Sequence, residues 1–166
     1  MYYEFDYYFF VLAFGLLVLS AKASIRIPYI PVPVTLQTLI VHSNIGLFGP
    51  LLSEVVICFY VMLIILCGVP IGASNAKDTQ GYLFGFVTAT FVENLVISQT
   101  SPLLTILGAF LLGDAIILAM GAVYYKKKHP DAPVFKLCVR PFIPGDILKC
   151  TVAAGVSFMF LEANKK

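Results

Sequence analysis

Six apolar runs, separated by short polar stretches, constrain this chain more than any other feature. The longest, Leu103 to Tyr125, carries one charged residue, Asp114. A helix needs about 17–25 apolar residues to cross the hydrocarbon core of a bilayer, so a run of this kind is read as a span. The other runs are Tyr7–Ser24, Val34–Phe48, Leu51–Val69, Gly81–Ile97 and Ile143–Leu161. The expected fold class is therefore all-α: an integral membrane bundle of six transmembrane helices in a single domain over residues 1–166, with helices near 7–24, 34–48, 51–69, 81–97, 103–125 and 143–161.

Composition supports lipid as the solvent. The 166 residues are 60% hydrophobic and 12% charged, against about 25% charged in a soluble domain. A net charge of +2 with no basic patch interleaved with aromatics excludes a nucleic-acid partner. The N-terminus lacks the basic start and cleavage site of a signal peptide. Cys58, Cys67, Cys138 and Cys150 show no metal-ligand spacing, and Cys58, Cys67 and Cys150 read as small buried hydrophobes. His42 and His129 have no histidine or cysteine neighbour in sequence, so no metal site is expected. No cofactor is implied, and no nucleophile–base or paired-carboxylate motif points to catalysis.

The connections are unequal. Those after runs one, three and five are long and hold most of the charge, whereas those after runs two and four are short and uncharged. With six spans the three long ones fall on one side of the membrane. Pro28–Pro33, Gly72–Gln80 and Lys126–Arg140 are thus expected to roof a pocket, the proline segment as an extended, partly buried lid. Asp146 and Lys149, three apart at the head of the last run, share one helix face beneath that roof. They read either as a ligand site or as a pair that merely neutralises itself. Asn75, with donors and an acceptor, is a candidate third member or a turn residue. Gln37 and Thr38 open the second run beside the same loops. Asp114, near mid-span, is expected to be internally hydrogen-bonded or protonated if it has no functional role. Glu54 and Glu93 are expected at the interface.

Three motifs then carry a family resemblance. Ile27-Pro28-Tyr29-Ile30-Pro31-Val32-Pro33-Val34-Thr35-Leu36-Gln37-Thr38-Leu39, Gly81-Tyr82-Leu83-Phe84-Gly85-Phe86 and Pro141-Phe142-Ile143-Pro144-Gly145-Asp146-Ile147-Leu148-Lys149 resemble, in order, the signatures of the BioY family, the biotin-specific S components of energy-coupling-factor (ECF) transporters. The resemblance implies a multi-pass protein of the cell (inner or plasma) membrane that binds biotin and delivers it inward. It implies as partners a transmembrane coupling (T) subunit and two ATPase subunits, and the chain itself lacks GxxxxGK[ST]. Asp146 and Lys149 lie within the matched motif, and Asn75, Gln37, Thr38 and Tyr82 complete the implied ligand set. The chain departs from the family in a shorter loop before Gly81 and in having no basic residue between Lys77 and Lys126. One helical turn rises about 5.4 Å, too short for Asp146 and Lys149 to hold opposite ends of biotin, so Asp146 is expected at the ureido N–H groups.

The alternatives are an S component for another small anionic vitamin, a membrane-embedded enzyme using Asp114 and Asp146, and a structural subunit that binds no small molecule. Orientation is contested within the sequence. Arg26, Lys77, Lys126, Lys127, Lys128, Lys136 and Arg140 lie on the long-loop side and Lys165 and Lys166 opposite. The positive-inside rule places the long loops in the cytoplasm, whereas the family resemblance places the pocket outside.

Overall fold

The structure is a computed structural model that describes residues 7–69, 71 and 76–164. Six α-helices form the bundle: α1 (Tyr7–Lys22), α2 (Gln37–Phe48), α3 (Pro50–Ile65), α4 (Ala76–Val96), α5 (Leu103–Lys128) and α6 (Ile143–Ala163). A two-residue antiparallel ladder, β1 (Ser24–Ile25) with β2 (Val34–Thr35), links α1 to α2, and a π-helical turn, Phe135–Val139, precedes α6. Proline and glycine set several boundaries. Pro50 stands in the first turn of α3 after Gly49 at φ 85, and Pro144 stands in the first turn of α6. A missing N–H costs little there, and only glycine adopts that φ freely.

The core is mainly apolar, as in a water-soluble bundle, but the exterior is apolar as well. Leu19, Leu51, Leu66, Leu95, Leu104 and Met159 are exposed, while His42, Asn44, Glu93, Asp114 and Ser157 are buried. An apolar exterior with ionisable groups turned inward fits lipid, because hydrocarbon offers an outward polar group no hydrogen bond. α5 and the stretch Phe135–Ala163 are long and apolar enough to cross a membrane. α2 has 12 residues, about 18 Å of helix, so it ends inside the hydrocarbon thickness.

Several boundaries differ from the sequence expectation. Val34 and Thr35 pair with Ile25 and Ser24 instead of opening the second helix. Residues Ala76–Gln80, expected as loop, form the first turn and a half of α4, and α5 runs on to Lys128. The proline segment turns rather than extends: Ile30 N–H donates to the Ile27 carbonyl, and Tyr29, 97% exposed, takes a φ of 66.

α4 and α5 share the closest seam. A Cβ on Gly85 would fall 2.8 Å from Ile117 Cα, and one on Gly81 would fall 2.6 Å from the Met120 carbonyl oxygen. On the facing helix, a Cβ on Gly121 would meet the Tyr82 ring at 2.4 Å. Glycine on both helices lets the backbones touch, which is how helices associate where no hydrophobic effect drives them together. That seam and α6 fix the walls of the site.

Candidate functional site

A cavity of about 510 Å³ opens between the upper ends of α2–α6, within the about 300–1,000 Å³ typical of small-molecule sites. Val32 and Pro33 from the connection after α1, Gly68 and Ile71 from the connection after α3, and Phe142 at the start of α6 line it; the expected roof segment Lys126–Arg140 does not. Its walls are mostly apolar, with Ile64, Leu83, Phe86, Ile117 and Leu118 facing inward.

The polar groups converge on one side. Asp146 and Lys149 sit one turn apart on α6, and their carboxylate and ammonium are in direct contact, both buried. Asp146 lies in the first turn of α6, where the helix dipole favours an anion. The Lys149 ammonium also donates to Thr38 Oγ1 at 2.7 Å and to the Thr35 carbonyl at 3.2 Å. Three acceptors therefore satisfy its three N–H donors. Gln37 Nε2 donates to the Tyr60 hydroxyl at 2.8 Å, and Tyr82 OH donates to the Cys138 carbonyl at 2.9 Å. The Tyr124 hydroxyl donates to Gln80 Oε1 behind the wall.

Of the candidates read from sequence, Asp146, Lys149, Gln37, Thr38 and Tyr82 line this one cavity. Asn75 lies outside the described residues. Asp114 does not line the cavity, so it shares no site there with Asp146, contrary to the enzymatic alternative. Sequence reasoning missed Tyr60 and Thr35. The signal for Tyr60 was available, since it is the only hydroxyl-bearing side chain between Ser53 and Val69.

A second cluster lies deeper. His42 Nδ1 is 2.8 Å from Glu93 Oε1 and Nε2 is 3.9 Å from Asp114 Oδ1. Glu93 is fully buried, not interfacial, and it packs where a Cβ on Gly113 would stand, 1.7 Å from Glu93 Oε1. His42 does have a cysteine nearby in space, Cys150 of α6. Glu54, by contrast, is partly exposed and accepts from Asn94 Nδ2 at 3.4 Å.

Comparisons with known proteins point to one family. A crystal structure described as the S-component for biotin from an ECF-type ABC transporter superposes with a TM-score of 0.76 at 20% identity, covering 96% of this chain and 90% of that one. The biotin transporter BioY of Thermotoga maritima is 31% identical over 140 residues, spanning 80% of this chain and 82% of that protein. The BioY of Rhizobium etli is 29% identical over 161 residues, spanning 87% and 83%. The sequence profile of the BioY family matches residues 5–166, and the chain belongs to that family.

Proposed function

We propose that this chain is the membrane-embedded biotin-binding subunit of a vitamin uptake transporter. It takes biotin into the cavity under the three long connections and delivers it across the membrane. The observation that carries this reading is the network of buried Asp146 and Lys149 with half-buried Thr38 on one wall of a mostly apolar cavity of about 510 Å³. A few fixed polar groups in an apolar pocket orient a small ligand and confer specificity. Lys149 is in direct contact with Asp146 and holds its carboxylate in place. The carboxylate keeps acceptor capacity beyond that one ammonium and meets the ureido N–H groups. Gln37, Thr38, Tyr82 and Asn75 complete the ligand set. The ring system packs among Phe86, Ile117 and Phe142, and the valerate carboxylate is met by loop N–H groups or water.

In this reading the partners are a transmembrane coupling subunit and two ATPase subunits, and the protein crosses the cell (inner or plasma) membrane several times. Two relatives of this chain carry the name biotin transporter, which supports biotin over another small anionic vitamin. Isothermal titration of the detergent-purified chain with biotin and with other vitamins tests the reading. We expect saturable 1:1 binding of biotin alone. Asp146→Asn should weaken it at least tenfold, since a hydrogen bond to a charged group contributes about 1.5–3 kcal/mol. Unchanged affinity in that variant would move the ligand off Asp146, and tighter binding of a different vitamin would reassign the substrate.

A further inference from the structure

The cluster beneath the cavity floor plays no part in the proposed ligand site. His42 lies one turn below Thr38 on α2, Asp114 one turn below Leu118 on α5, and Cys150 one turn below Asp146 on α6. Their donor atoms, an imidazole nitrogen, a carboxylate oxygen and a thiol sulfur, lie within 4.8 Å of one another, and all three residues are buried. None of His42 Nδ1, His42 Nε2, Glu93 Oε1, Glu93 Oε2 and Asp114 Oδ1 makes a hydrogen bond of normal geometry among the described residues. Polar atoms at membrane depth are nearly always partnered, so two that face each other across a gap of 3.9 Å point to an occupant.

The donor set narrows what that occupant is. Imidazole, carboxylate and thiolate together suit zinc-class ions, whereas magnesium and calcium take oxygen donors. Glu93 stands at the far nitrogen of His42, Nδ1, at 2.8 Å. A carboxylate there fixes the ring tautomer and directs the Nε2 lone pair at a metal. The ring is further held against Phe110, with centroids 5.1 Å apart. Charge favours a dication too. A 2+ ion offsets the Asp114 carboxylate and the Cys150 thiolate where the dielectric is low, while Glu93, like Asp114, lies within ion-pair distance of His42.

We propose that His42, Asp114 and Cys150 form a binding site for a divalent transition metal of the zinc class, with Glu93 as the residue positioning His42. Tetrahedral ligands on bonds of about 2.0–2.3 Å stand about 3.3–3.8 Å apart, so the side chains close in by about 1 Å on binding. The Cys150 thiol gives up its weak 3.6 Å contact with the Phe110 carbonyl and releases its proton to solvent. The fourth position is left to water. Such an ion ties α2, α5 and α6 together below the cavity, and its binding does not depend on which ligand the cavity takes.

The test is cobalt titration of the tag-free, chelator-stripped chain in detergent, followed by zinc competition. One cobalt per chain is expected, with tetrahedral d–d absorption and a thiolate-to-cobalt charge-transfer band, both bleached by zinc. Cys150→Ser should lose the charge-transfer band. His42→Gln and Asp114→Asn should each lower cobalt affinity at least tenfold. Glu93→Gln should lower it about 10–100-fold with the band retained at saturation. Biotin titration of the same samples reports folding separately from metal uptake. If the unmodified chain shows neither band at saturating cobalt, or if Cys150→Ser and His42→Gln leave the bands unchanged, the proposal is overturned and the cluster holds protons only.

Discussion

Removing the ammonium of Lys149 strands the Asp146 carboxylate in an apolar wall. Breaking a buried ion pair from one side costs about 3–5 kcal/mol. Lys149→Met should therefore lower the melting temperature in detergent and abolish biotin binding. The double variant Asp146→Asn/Lys149→Met should recover much of the stability without the binding. Thermal melts of the four proteins in this cycle check the coupling, and additive losses would show the pair to be unimportant for folding. Asp146 and Lys149 were legible in sequence because both belong to one helical turn behind a Pro-Gly pair, where spacing alone fixes a shared face. The cluster of His42, Asp114 and Cys150 was not legible. Its members are brought together only by the packing of α2, α5 and α6, and no local spacing records that. Glu93 misled for the same reason: its depth depends on the empty space above Gly113.

Among the elements, the α4–α5 seam sets how the cavity walls stand. Gly85→Ala pushes a methyl into the Ile117 backbone, an overpacking that costs about 1–3 kcal/mol. A lower melting temperature is the expected result. Gly145→Ala in α6 meets nothing within 4 Å and should be neutral or stabilising by about 0.4–1 kcal/mol. Parallel melts compare the two, and equal effects would argue against close backbone contact at the seam. Gly81 and Gly85, four residues apart on one face of α4, are the trace that this seam leaves in the sequence. The β1–β2 ladder was not readable, because Val34 and Thr35 continue an apolar run and only their pairing with Ser24 and Ile25 excludes helix. The helical start of α4 at Ala76 was hidden by a polar composition that fits a loop equally well.

For the molecule as a whole, side of the membrane is the property on which charge and function disagree. Most of the cationic residues fall in or beside the long connections of the sequence, which argues for a cytoplasmic location of that side. Uptake requires the mouth outside. In a chain whose four native cysteines are replaced, Asp131→Cys should react with a membrane-impermeant maleimide added to intact cells. Protection until lysis would reverse the orientation. The count of six helices came from hydropathy, which is a property of the linear chain. Orientation is read from charges in the connections, whose bias opposes the direction that uptake requires, so the sequence signal is mixed.

The satisfied state of Lys149 bears on the carrier's return leg. Its three acceptors are all supplied by the protein, so discharge of the cargo leaves no lone ion stranded in the oily interior. An unloaded subunit can reset without waiting for a counter-ion to refill the vacancy.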